Sequence, residues 1–214
     1  MQILFLDIET IPCENPADVP PVKAPSNYKD PEKIAAYIAE HAADAHRSTS
    51  LDPLLGRILC IGYAVDGQPV ECTPIESFAD EAVILCKLDE VVRIMAANGP
   101  IHFCGHNLAA FDLPFLWLRA VKYGFHDLAR RLPYHQYQRP YLLDTMIAAG
   151  GPSRDRFSLD KLARYFGIGA KSEGISGREI WEAYKAGRAA EIAEYCKHDV
   201  DLTRKLFNKI EGNQ

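Results

Sequence analysis

A chain of 214 residues with 48% hydrophobic and 25% charged residues has the make-up of an ordinary globular protein and is long enough to bury a full core in one domain. Its net charge of −5 excludes a general electrostatic nucleic-acid binder, whose mark is a strongly basic domain. It leaves metal-dependent chemistry on nucleic acid open, because bound divalent cations add positive charge where it is needed. The six cysteines, Cys13, Cys60, Cys72, Cys86, Cys104 and Cys196, form no C-x-x-C pair and fall largely in apolar runs. Buried free thiols in a reducing cytoplasm are expected, not a disulfide framework or a structural zinc. No basic leader precedes the first apolar run, and no apolar stretch reaches the roughly 18 residues of a membrane span.

The elements follow in chain order. Gln2 to Ile8 is nearly continuous in apolar residues, as a central buried strand requires. Pro12 to Pro31 is Pro-rich and reads as an extended connector. Glu32 to His46 is helical, with Pro31 at its start and Ile34, Tyr37 and Ile38 on one side. Arg57 to Ala64 is a second strand, and Asp66-Gly67 marks a hairpin returning through Pro69 to Thr73. Residues 79–98 form an amphipathic helix closed by Asn98-Gly99-Pro100. Ile101 to Cys104 is a fourth strand, Leu113 to Tyr123 a helix with Pro114 in its first turn, and Tyr141 to Leu143 a fifth strand. Helices over 158–166, 177–186 and 188–210 complete the chain. The expectation is one α/β domain over 1–214, with an insertion at about 14–54 that is longer than a strand connection needs. His41 and His46 on that insertion are expected at the surface.

Four carboxylates sit where the local pattern has no need of an acid. In LFLDIETIP, Asp7 and Glu9 end the first apolar run. Period two puts both on one face of the strand, where a hard, oxygen-seeking cation relieves their repulsion. By itself D-x-E is common, and a solvated strand end also explains it. In GHNLAAFDLPFL, Asn107 and Asp112 follow the fourth strand, and Asp112 is also placed to cap the next helix. In YCKHDVDLT, Tyr195 and Asp199 are one helical turn apart. Asp199 falls in the apolar stripe of Ile192, Cys196, Leu202, Leu206 and Ile210, where a carboxylate is costly unless paired or metal-bound. His198 lies about 100° away around the helix and is expected off the site.

Taken together, D-x-E, N-x(4)-D and Y-x(3)-D resemble the DEDD superfamily of 3′–5′ exonucleases, the DnaQ-like group on the ribonuclease H-like fold. Tyr195 is similar to the tyrosine of the DEDDy subgroup. The DEDDh subgroup has a histidine five positions before its last aspartate, and Glu194 stands there in this chain. SLDKLARYFGI and ISGREIWEAYKAG resemble the predicted exonucleases related to the proofreading domain of family B DNA polymerases.

This resemblance implies a mixed sheet of about five strands, one of them antiparallel, flanked by helices. It implies two divalent metal ions, Mg²⁺ or Mn²⁺, with Asp7 between them, Glu9 and Asp199 on opposite sides and Asp112 acting through water. Tyr195 would orient the attacking water, since a phenol with a pKa of about 10 is a poor base at neutral pH. The implied activity releases nucleoside 5′-monophosphates from single-stranded 3′ ends, DNA before RNA. Backbone at Thr10 and Ile11 would meet the terminal sugar, Ile11 or Phe111 would pack on bases, and Asn107 would hydrogen-bond near the site. The basic stretch Arg154, Arg156, Lys161, Arg164, Lys171 and Arg178 is either a phosphate track or solvated surface. An exoribonuclease, a non-catalytic nucleic-acid or protein-binding module, and a metal-dependent phosphatase or endonuclease remain as alternatives. No polymerase domain fits within the chain, so proofreading would act in trans, with a polymerase or repair partner that the sequence does not name.

Overall fold

The computed structural model describes residues 1–74, 81–151, 155–170 and 174–212. Its centre is a five-stranded sheet in the order β3-β2-β1-β4-β5. The strands are β1 (Gln2–Ile11), β2 (Arg57–Val65), β3 (Glu71–Pro74), β4 (Ile101–Gly105) and β5 (Leu142–Asp144). β2 runs antiparallel to both of its neighbours, while β1, β4 and β5 are parallel. This is the expected mixed sheet with one antiparallel member.

The hairpin falls at Asp66-Gly67. Asp66 has φ +48, a left-handed turn conformation that aspartate tolerates, and its carboxylate accepts the Ile3 N–H at 2.8 Å. β1 extends beyond the expected Ile8 because its pairing with β2 continues to Ile11↔Arg57, with a register shift between Glu9 and Thr10.

The helices are α1 (Pro31–Ser48), α2 (Glu81–Ala96), α3 (Asp112–Lys122), α4 (His126–Arg131), α5 (Thr145–Gly150), α6 (Leu159–Phe166), α7 (Ile180–Lys185) and α8 (Ala189–Glu211). Residues 79 and 80 of the expected second helix lie outside the described residues. α4 and α5, six residues each, are too short for a period of 3.6 to show in the sequence. α7 starts at Ile180 and not at 177, because residues 177–179 form a turn closed by the Glu179 N–H on the Ser176 carbonyl at 2.8 Å. Among the described residues no helix is long and apolar enough to cross a membrane.

Alternation along β1 sets the layers. Leu4, Leu6 and Ile8 join the large core with Leu85, Leu88 and Val92 of α2 and Leu113 and Leu116 of α3. Ile3 and Phe5 face the other way, into a cluster with Val200 and Phe207 of α8. The same face continues to Asp7 and Glu9, so the helix that covers the apolar half of β1 also covers its acidic half. α8 presses close because Gly62, opposite Asp7 in the sheet, has no side chain: a Cβ there would lie 2.7 Å from the Cys196 Sγ.

One polar group is buried under the opposite layer. Glu81, with no exposed surface, accepts from the Ile58 N–H at 2.8 Å, the Tyr123 hydroxyl at 2.8 Å, and Arg119 and Arg57 at 3.0 Å each. Such an anion is tolerable inside a core only because every partner is supplied.

Candidate active site

β4 accompanies β1 only from Gln2 to Phe5. After Gly105 the chain turns through Asn107 at φ +65, so β1 runs on past its parallel neighbour and Asp7 and Glu9 emerge at that step. Asp112, the first residue of α3, fills the gap: its carboxylate accepts the Ile8 N–H at 3.0 Å. Asp112 stands one residue inside α3, whose N-cap is Phe111, so it does not hold the N-cap position that the sequence had also allowed.

The turn itself is held by Asp144, which the sequence reading did not single out. Its buried carboxylate accepts from the backbone N–H groups of Asn107 at 3.1 Å, Ala109 at 3.0 Å, Met146 at 2.9 Å and Ile147 at 3.3 Å. An aspartate between a strand and a helix is an N-cap signal, and that signal was available. Its reach back to residue 107 was not.

A cleft of about 880 Å³ opens here, lined by Asp7, Glu9, Asp112, Tyr195 and Asp199 together. Three separate pieces of chain supply them. Asp112 and Asp199 are 2% and 3% exposed, and Tyr195 is 6% exposed. Ligand atoms of Asp7 and Glu9 lie within 4.8 Å of each other and of the Cys196 thiol. Burial pushes the Asp112 carboxyl up from 3.8 to about 7, and the Asp144 carboxylate adds to the rise, against the Ile8 N–H that favours the charged form. A donor set of carboxylate oxygens suits a hard divalent cation. Such an ion would offset the cost of ionising Asp112 where it is buried. These residues could therefore hold Mg²⁺ or Mn²⁺.

The rest of the lining comes from several elements. Phe111, Trp181, Leu51 and Ile175 offer apolar surface, and Arg47 and Arg178 offer guanidinium groups. His106 is fixed between the Thr145 hydroxyl at 2.9 Å and the Phe157 carbonyl at 3.0 Å. Asp44, Arg47, Ser48, Ser50 and Leu51 belong to the insertion, which thus forms one wall. It is tied to the end of β1 by the Thr10 hydroxyl on the Ser50 carbonyl at 2.7 Å, the Cys13 N–H on the Thr49 hydroxyl at 3.0 Å, and a His46 to Cys13 carbonyl contact at 2.9 Å. His46 is half-buried against Trp181, ring centroids 5.7 Å apart, where a surface residue was expected. His41 stacks on Tyr37 at 3.9 Å.

Other expected residues fall elsewhere. Ile11 is fully enclosed in the core and cannot pack on a base. Thr10 lines the cleft, but its hydroxyl is committed to Ser50. Asn107 is not part of the lining, and its backbone serves the turn. His198 contacts the Ala170 carbonyl at 2.8 Å, away from the carboxylates. Of the basic stretch, Arg178 reaches the cleft, Arg164 pairs with Asp160 at 2.9 Å, and the Lys161 amine sits 5.2 Å over the Phe157 ring. Arg156 does not line the cleft, and Arg154 and Lys171 lie outside the described residues.

The fold class is independently recognisable. The family B DNA polymerase of the hyperthermophilic archaeon Pyrobaculum calidifontis superposes on 99% of this chain with a TM-score of 0.59 and 19% identity, using 24% of the polymerase. The exonuclease domain of such a polymerase has the ribonuclease H-like fold, and so has this chain. A DNA polymerase of Red sea bream iridovirus is 24% identical over a stretch covering 73% of this chain and 19% of that protein. The chain thus spans about a fifth to a quarter of the length of these relatives. Residues 76–213 match the family of predicted 3′–5′ exonucleases related to the exonuclease domain of PolB, and the chain belongs to that family.

Proposed function

We propose that this chain is a two-metal-dependent 3′–5′ exonuclease that releases nucleoside 5′-monophosphates from single-stranded DNA. One observation carries the reading: four carboxylates and a tyrosine from β1, α3 and α8 line a single cleft. Asp7, Glu9 and Asp199 would hold two Mg²⁺ or Mn²⁺ ions, and Asp112 would act through water. What the ions supply when bound is a lowered pKa of the attacking water and neutralisation of charge on the leaving 3′ oxygen.

The chain's own residues do the rest. Tyr195 holds its hydroxyl one helical turn from Asp199 and positions the water by hydrogen bond. Phe111 and Trp181 offer ring surfaces to the terminal bases, in the sequence-tolerant way that aromatic residues bind single strands. Arg47 and Arg178 meet the phosphates. The cleft lies near the upper end of the roughly 300–1,000 Å³ usual for small-molecule sites, which suits a terminal nucleotide and its neighbour. With the insertion as one wall, the cleft favours an unpaired end over a duplex.

The test compares 3′-labelled and 5′-labelled single strands of DNA and RNA of one sequence, with Mn²⁺ or with EDTA, beside Asp7→Ala. Mononucleotides released from the 3′ end by the wild type alone, with metal alone and faster from DNA, are expected. Faster release from RNA assigns the ribonuclease alternative. Equal activity in folded Asp7→Ala refutes the metal assignment. Cleavage of a closed circular strand refutes exonucleolysis.

A further inference from the structure

Beneath the carboxylates lies a second cluster that the proposed cleavage does not use. Cys60 on β2, Cys72 on β3 and Cys196 on α8 bring their three sulfurs within 4.8 Å of one another. All three are free thiols, Cys60 and Cys196 buried and Cys72 half-buried. Their spacing along the chain, 12 and 124 residues, gave no hint of this and led to the expectation of scattered core thiols. Gly62 permits the approach, since any side chain there would strike the Cys196 sulfur.

We propose that Cys60, Cys72 and Cys196 form a three-thiolate site for a soft cation of the zinc and cadmium class, and that its occupancy inhibits the neighbouring carboxylate site. Zinc–thiolate bonds of about 2.3 Å hold sulfurs roughly 3.8 Å apart in a tetrahedron, so rotamer adjustment closes the remaining distance. Soft sulfur donors select such an ion over Mg²⁺. Each thiol that binds releases its proton as its sulfur–metal bond forms, and nothing is oxidised.

A disulfide fits two of these residues less well. Cys60 faces Pro74 and Cys72 faces Gly62, so the two cysteines are diagonal neighbours. Their Cα atoms are then about 7–8 Å apart, beyond the roughly 4.4–6.8 Å of a disulfide. A bridging ion spans what an S–S bond does not. Cys72 on the edge strand gives access from solvent.

The link to the carboxylates is Cys196. Its sulfur lies 3.6 Å from the Asp7 carbonyl and 3.7 Å from the Asp7 Oδ2. An ion on the three sulfurs would engage Cys196, whose sulfur also lies within 4.8 Å of the Asp7 and Glu9 ligand atoms, and would disturb the hold of Asp7 on the hard ions. This inhibitory half rests on the proposed nuclease reading, whereas the binding half stands without it.

Both halves are tested on the full chain, reduced and supplied with excess Mg²⁺. Cadmium is titrated while the ultraviolet thiolate-to-cadmium charge-transfer band and proton release are followed. One equivalent per chain is expected. Cys72→Ser or, as a second variant, Cys60→Ala should weaken binding by at least about tenfold, the loss usual even for disturbing an outer partner of a metal ligand. Cys86→Ser, at an exposed cysteine on α2, should leave the band unchanged. No band, a band indifferent to Cys72→Ser, or a chain two hydrogens lighter that takes up no cadmium overturns the site. In the cleavage assay, Zn²⁺ should suppress Mg²⁺-dependent release, and Cys72→Ser should need about tenfold more Zn²⁺ to lose half of its own rate. Equal sensitivity overturns the inhibitory role. A chain that cuts no polymer but shows the band fails the nuclease reading and keeps the metal site.

Discussion

Replacing Asp112 by asparagine should stabilise the metal-free protein at alkaline pH. The asparagine Oδ1 can still accept the Ile8 N–H, so the strand contact survives. What disappears is the burial of a charge. In the folded protein the Asp112 carboxyl holds its proton to about pH 7, against 3.8 ordinarily. Between these values the folded state binds more protons than the unfolded chain, so stability falls as pH rises. Below the lower value both states are protonated and the cost vanishes. Above the upper value the full cost applies, about three pH units at about 1.4 kcal/mol each, or roughly 4 kcal/mol. Urea unfolding in EDTA at pH 4 and pH 8 reads this directly. Wild type and Asp112→Asn should agree within about 0.5 kcal/mol at pH 4. The variant should be the more stable by up to about 4 kcal/mol at pH 8. Mn²⁺ at pH 8 should reverse the order, because an ion that binds only the folded state adds stability in proportion to its affinity. A difference that is the same at both pH values, or a less stable variant at pH 8, would refute the account of Asp112 as a carboxyl that burial holds protonated until a cation arrives.

Other perturbations read other parts of the site. Tyr195→Phe should slow cleavage by about a hundredfold, at the lower end of what a positioned proton-handling group contributes, while Mn²⁺ binding by calorimetry stays near wild type. Unchanged turnover removes Tyr195 from the reaction. Gly62→Ala should cost about 1–3 kcal/mol of stability from overpacking and depress cleavage further by lifting α8 from Asp7. Adding Cys196→Ala should restore part of both losses, and strict additivity in that double-mutant cycle would deny the contact. Glu81→Ala should cost about 3–5 kcal/mol in thermal or chemical unfolding, since it leaves buried Arg119 without its carboxylate. At temperatures where it remains folded, its cleavage rate should match wild type.

Much of the fold was legible because it is written in local periodicity. The apolar run of β1, the Asp66-Gly67 turn and the Pro31 start of α1 each carry their own signal within a few residues. Three of the four carboxylates stood out because each breaks such a signal: Asp199 interrupts a helical apolar stripe, and Asp7 and Glu9 end an apolar strand. The substrate-side residues were less legible. Ile11 looked available because it follows the acids, yet β1 continues through it into the core. Asn107 looked like a side-chain donor, yet its position is defined by a left-handed backbone that Asp144 holds from 37 residues away.

The sequence by itself determined which acids are out of place and which face of its element each occupies, because period two and period 3.6 depend only on neighbours along the chain. Only the tertiary structure decided what those faces meet. The gap at the end of β4 gives Asp112 its partner on β1, and the missing side chain of Gly62 brings α8 onto Asp7. The tie from Thr10 to Ser50 turns an insertion into a wall of the cleft. Three cysteines from three elements become one cluster. Each of these depends on packing between segments distant in sequence, which no local pattern encodes.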